Sequence, residues 1–195
     1  MLTKILSAVF CLAAVVGVAA AAPIQYTFTF LGAGTLNGNN FTARTVTFGF
    51  SSDTSLINQP LTGLFLTPSG IPATYALAGL SSGTITDSVE VFDNQNASDA
   101  GFYLTAAMMD YFDIPNAAYG TYDLKSPTGP INTLAPTFLN SAGVGTNNGQ
   151  LIITSARNIN FTATTSAGVP EPSSYSLLGV ALVGFALLRK RTALG

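Results

Sequence analysis

The sequence predicts an all-β fold, an antiparallel β-sandwich or jelly-roll-like domain flanked by an N-terminal signal helix and a C-terminal transmembrane helix. Three observations carry this expectation. Segments between residues 24 and 164 alternate apolar and polar side chains with a period of two, as half-buried strands do. Clusters of Gly, Pro and Asn separate those segments at short intervals. The two continuous apolar runs lie at the ends of the 195-residue chain, which leaves residues 22–165 as one domain of ordinary size.

In chain order, Ile24, Tyr26, Phe28 and Phe30 form one face of a first strand and Gln25, Thr27 and Thr29 the other. Asn37-Gly38-Asn39-Asn40 supplies residues that tolerate positive φ, and Thr42, Arg44, Val46, Phe48 and Phe50 form the next alternating face, so a hairpin is expected. Further strands are expected over residues 74–77, 84–92, 101–105, 120–124, 151–155 and 158–164. Pro68-Ser69-Gly70, Pro127-Thr128-Gly129-Pro130 and Asn147-Asn148-Gly149 read as turns between them. Residues 106–112 fit a short helix or a strand, with Met108 and Met109 as core filler.

Composition narrows the chemistry. The chain is 48% hydrophobic and 8% charged, with no His, no Trp and one Cys, where soluble domains average roughly 25% charged residues. Without imidazole there is no Ser-His or Cys-His triad and no His-ligated metal. Cys11 lies in the first apolar run, so removal of that run leaves no thiol for a disulfide or a thiolate zinc site. Residues 22–165 contain three cations, Arg44, Lys125 and Arg157, against eight acids. Three scattered cations cannot line a phosphate backbone, which excludes a nucleic-acid partner.

Several motifs fail on their own mechanics. Gly79-Leu80-Ser81-Ser82-Gly83 has the spacing of a nucleophile elbow, but no His exists to take the serine proton and a strand is expected to follow. Gly32-Ala33-Gly34 with Asp53 some way on resembles a dinucleotide fingerprint, yet Asn37 replaces the third glycine and no helix follows, so turn glycines are the expectation. Asp93 to Asp99 reads DNQNASD and offers oxygen ligands for Ca²⁺, but Ser98 and Leu104 stand where an EF-hand needs Gly and Glu; a solvated loop is expected. Paired carboxylates are the one catalytic arrangement the composition permits. Asp87 and Glu90 fall on opposite faces of their expected strand, which leaves Asp110 with Asp113, or Asp93 with Asp99. No catalytic, cofactor-binding or metal-binding residue is assigned.

The ends read as addresses. Residues 1–21 have a Lys, an apolar stretch and small residues, the pattern of a secretory signal peptide. Ala19 and Ala21 are the small pair that signal peptidase prefers, and the cut is expected after Ala21. At the other end, residues 166–174 form a linker containing Val169-Pro170-Glu171-Pro172. The prolines project it as an unpaired extended tract. Residues 175–191 comprise an apolar segment and the basic stop Arg189-Lys190-Arg191, and residues 192–195 a tail. The apolar part spans roughly 21 to 24 Å as a helix, short against a hydrocarbon core of about 30 Å.

This three-part tail resembles the PEP-CTERM sorting signal. The resemblance implies a protein exported through the inner membrane, held transiently by its C-terminal helix and cut near the Pro-Glu-Pro tract by an exosortase. It also implies a destination at the cell surface or in the extracellular matrix. The residues it singles out are processing residues: Ala19, Ala21, Val169, Pro170, Glu171, Pro172, Arg189, Lys190 and Arg191. Signal peptidase and exosortase are the expected partners, with exopolysaccharide as a further one through exposed Tyr and Asn. The domain is expected to be non-enzymatic, the alternatives being an acid-pair glycan hydrolase and a permanently anchored single-pass protein.

Overall fold

A computed structural model describes residues 21–165. Thirteen strands follow in chain order among them: β1 (Pro23–Leu36), β2 (Asn39–Asp53), β3 (Asn58–Leu61), β4 (Leu64–Leu66), β5 (Ala73–Leu77), β6 (Ser81–Thr84), β7 (Val89–Asn94), β8 (Asp99–Leu104), β9 (Met109–Pro115), β10 (Thr128–Thr133), β11 (Phe138–Leu139), β12 (Val144–Thr146) and β13 (Gly149–Thr165). Short 3-10 helices occupy Thr54–Leu56 and Ala117–Thr121. A larger sheet runs β10-β13-β1-β2-β5-β6, with β12 also on β13, and a smaller one runs β11-β9-β8-β7-β4-β3. Every pairing is antiparallel.

The first hairpin forms as its sequence demands. Asn37 and Gly38 both have positive φ, 48° and 79°, the conformation of a two-residue turn whose twist matches its strands. The alternating residues Tyr26, Phe28 and Phe30 of β1 and Phe48 and Phe50 of β2 are buried. They meet the inner face of the smaller sheet. Phe102 lies 4.9 Å from Phe50, 5.1 Å from Phe48 and 6.1 Å from Phe28 between ring centroids, and Phe30 lies 5.1 Å from Phe112. Such aromatic pairs add about 0.5–1.5 kcal/mol each to the gain from burial. Two antiparallel sheets meeting through their apolar faces is a sandwich layout. Up to β9 the chain changes sheet only after two or three strands, unlike a strand-by-strand alternation.

Four local expectations are corrected. Residues 84–92 are not one strand: β6 ends at Thr84 in the larger sheet and β7 begins at Val89 in the smaller one, so 85–88 is a crossing. Residues 120–124 form no strand: the 3-10 helix runs to Thr121, and side chains take two of the carbonyls beyond it. Tyr26 Oη donates to the Leu124 carbonyl at 2.6 Å and Gln95 Nε2 to that of Tyr122 at 2.7 Å. Residues 151–155 and 158–164 are a single strand, β13, that absorbs Asn158 at φ 52°. Met108 and Met109 are 81% and 46% exposed, so they are not core filler; β9 begins at Met109 after a turn.

Gly32 and Gly34 are not turn glycines either. Both sit inside β1, which is paired on both sides at a bulge, and a Cβ on Gly34 would run into the Ile152 carbonyl. Close backbone approach requires glycine at position 34, and the Val46 and Phe30 side chains crowd position 32; loop freedom is not the reason at either. The expected terminal helices fall outside the described residues. Among the described residues no helix is long and apolar enough to cross a membrane, which says nothing of β-barrels.

Candidate functional site: the acidic face of the smaller sheet

Five of the eight acids in the described residues lie on strands of the smaller sheet: Glu90 and Asp93 on β7, Asp99 on β8, Asp110 and Asp113 on β9. On β7, Val89, Val91 and Asp93 point inward and are buried, so Glu90, Phe92 and Asn94 point outward. On β8, Ala100, Phe102 and Leu104 point inward, which turns Asp99, Gly101 and Tyr103 outward.

On β9 an irregularity decides the outcome. A spacing of three would send Asp110 and Asp113 to opposite faces of a regular strand. Instead the register slips between Phe102 and Tyr103: Phe102 pairs with Phe112, but Tyr103 pairs with Asp110, skipping Tyr111. Tyr111 and Phe112 are both buried. The extra residue brings Asp110 and Asp113 to the same outer face, opposite Tyr103 and Gly101. Asp99 joins them from β8.

This face carries a hollow of about 350 Å³ lined by Leu64, Leu66, Glu90, Phe92, Tyr103 and Asp110, with Asn94 at its margin. A second hollow of about 470 Å³ adjoins it through Leu66 and Glu90 and reaches Asn58, Gln59 and Ser69 near the β3 edge. Together they make one shallow trough across the strands. Phe92 covers Gly101, where a Cβ would come within 2.9 Å of the Phe92 ring.

Burial pushes the carboxyls of Glu90 and Asp110 above the ordinary carboxylate range. Asp99 is raised by burial and then by the charge of Asp110. Asp113 is pushed up to about 7, by burial first and then by Asp110 and Asp99. One oxygen each of Asp99 and Asp113 is buried without a hydrogen-bond partner. Close carboxylates that cannot all ionise share protons, and Asp113 is the one raised far enough to titrate near neutral pH.

The other candidates separate. Asp93 and Asp99 lie on opposite faces, as their cross-strand partners Ala100 and Asn94 show. Asp87 sits in the crossing, where its carboxylate accepts from the Gly145 N–H at 2.7 Å, so it and Glu90 do not share a strand. The Asx-rich β7–β8 turn has its side chains engaged by the protein: Asn94 Oδ1 accepts from the Ala97 N–H, and Asn96 Nδ2 donates to the Thr62 carbonyl in the β3–β4 turn. Among the described residues no group of three acids is placed to hold a metal ion. Ser81 lies in a strand, hydrogen-bonded to Tyr75 Oη at 3.2 Å and to Asn148 Nδ2. Of six described tyrosines only Tyr103 is not buried, so the expected tyrosine-rich surface reduces to one ring on the acidic face.

Of the processing residues, Ala21 is exposed at the edge of the described chain. The fold takes hold one residue later: the Ala22 N–H donates to Thr54 Oγ1 at 3.2 Å and its carbonyl accepts from the Thr54 N–H at 3.0 Å. Ala19, Val169, Pro170, Glu171, Pro172, Arg189, Lys190 and Arg191 lie outside the described residues. Their comparison with known families is informative: residues 168–191 match the PEP-CTERM protein-sorting motif. The chain carries a PEP-CTERM sorting signal. It marks an exosortase-sorted protein exported to the cell surface or beyond. No curated protein and no solved structure matches the chain.

Proposed function

We propose that this PEP-CTERM protein is a non-enzymatic component of the extracellular matrix, held briefly in the membrane by its apolar C-terminal segment and released by cleavage near Pro170-Glu171-Pro172. The sorting motif at residues 168–191 carries the reading. An apolar stretch too short for a comfortable span makes a temporary tether, and Arg189 to Arg191 keep its end inside until the cut. The domain then associates with polysaccharide along the trough of the smaller sheet. Tyr103 offers a ring face, and Asn94, Glu90 and Asp110 offer acceptors for sugar hydroxyls.

Intact-mass analysis of protein from cells and from medium tests the sorting. The expected released species starts at Ala22 and ends near Pro172. Replacing Pro170 and Pro172 with Ala is expected to leave full-length chain in the membrane; unchanged release would refute recognition of that tract. For the domain, Tyr103→Ala is expected to reduce retention on the organism's own polymer at least several-fold. Equal retention of the variant would remove the trough from the reading.

One observation favours a second reading. Asp113 is raised into the neutral range beside the more exposed Asp110, the kind of split that lets one carboxyl act as acid and its neighbour as base. An acid-pair glycan hydrolase would lose turnover of a glycan panel in Asp110→Asn and in Asp113→Asn. Activity surviving both changes would eliminate it.

A further inference from the structure

A fully buried carboxyl on β7 is used by neither reading. Asp93 is fully buried, 0% exposed, on the inner face of β7, and neither of its carboxylate oxygens has a hydrogen-bond partner. Its cross-strand neighbours are Phe65 on β4 and Ala100 on β8, whose side chains neither donate nor ionise. The 3-10 helix Ala117–Thr121 packs against β7 and β8. It brings Tyr119, and just beyond it Tyr122, whose hydroxyls are equally buried and unpartnered. Asp99 on β8, turned to the opposite face, and Asp123 in the segment after the 3-10 helix are the charged groups whose fields reach Asp93. Tyr26 on β1 adjoins Tyr122 and donates to the Leu124 carbonyl. Every one of these groups is an acid or a neutral phenol.

A carboxylate that accepts no hydrogen bond and has no cation near it is tolerated in a dry interior only as the neutral acid. We propose that Asp93 is a proton-operated latch: protonated, it lets residues 117–124 close the end of the space between the sheets, and ionised, it releases that segment. The released part is 117–124 because the other elements around Asp93 are locked into ladders. This segment is held by the side-chain bonds from Tyr26 and Gln95 and by the cap of Asn116 Oδ1 on the Ala118 N–H. The opening lies beside the β7–β8 turn, where a Cβ on Gly120 would come within 3.2 Å of Ser98 Oγ.

Burial, with Asp99 and Asp123 adding to it, pushes the Asp93 carboxyl up to about 8. The closed form binds this proton more tightly than an opened form with an ordinary Asp, near 3.9. Closure is therefore strongest below about pH 4 and is lost as pH rises towards about 8, where the effect levels off. Over that window the opening equilibrium should rise about tenfold per pH unit.

The test is hydrogen exchange by mass spectrometry on the full chain in detergent from pH 6 to 9, corrected for the intrinsic pH dependence of exchange. Protection of residues 117–124 is expected to fall about tenfold per unit up to about pH 8, and Asp93→Asn is expected to abolish that dependence. Asp113→Asn, on the outer face, should retain it. Protection that does not vary with pH in the wild type, or that varies equally in Asp93→Asn, overturns the latch. If Asp93→Asn does not fold, an NMR titration of the wild-type Asp93 carboxyl decides: a midpoint of about 7 to 9 supports the latch, and one in the ordinary range near 4 overturns it.

Discussion

The two sheets share an inner face and differ on the outer one. Inside, Phe28 and Phe48 of the larger sheet and Phe102 and Phe112 of the smaller sheet form one aromatic layer. Outside, the larger sheet is paved with hydroxyls: Thr29 and Thr47 face each other across strands with their Oγ1 atoms 3.4 Å apart, and Thr74 Oγ1 donates to the Gly49 carbonyl. The smaller sheet carries Glu90, Asp99, Asp110 and Asp113 instead, and both strand cations, Arg44 and Arg157, belong to the larger one. A matched interior therefore leaves the exteriors free to diverge. The larger sheet's outer face is rich in hydroxyls with two exposed arginines, and the acidic face is where carboxyl groups raise one another's proton affinity.

The largest expected effect lies where the faces are alike. Phe102→Ala removes a ring that touches both sheets and should cost about 3–5 kcal/mol in chemical denaturation. A much smaller loss would mean that the sheets are not joined there. Gly34→Ala comes next, because its methyl collides with the backbone at Ile152 of β13. A destabilisation of about 1–3 kcal/mol is expected, with exchange increasing along the β1–β13 pairing first.

The contrast between outer faces is sharpened by pH. Asp113, held up to about 7 in the fold, stabilises fully below about pH 4 and loses that contribution as pH rises to about 7. Asp113→Asn cannot ionise, so it should melt a degree or two higher than wild type at pH 8 and equally at pH 4, the size being limited by solvent screening of a half-exposed group. Asp110→Asn removes the like charge and should move the Asp113 midpoint to lower pH, as read by NMR titration. The smallest effect belongs to the hydroxyl-rich face: Thr164→Ala should change stability by less than about 0.5 kcal/mol at any of these pH values.

Much of this was readable from the residues. The alternation from Ile24 to Phe30 and the Asn37-Gly38 turn produced the first hairpin, because both signals act between near neighbours. The sorting tail was readable for the same reason, since a protease tract and a basic stop are recognised as linear segments. The strand over 84–92 misled because its period of two continues through Ile85 and Asp87 while the backbone changes sheets. The Met108-Met109 pair misled because apolar composition does not say which way a turn faces.

The sequence alone determined the all-β class, the exclusion of His chemistry and the PEP-CTERM sorting motif, all of which depend on composition or on contiguous residues. Only the tertiary structure decided that Asp110 and Asp113 share a face, through a bulge at Tyr111 set by the register with β8. It also decided that Asp93 faces inward without a partner while Asp99, six residues on, faces out. Those outcomes depend on which backbone lies beside each strand, and that depends on contacts far apart in the chain.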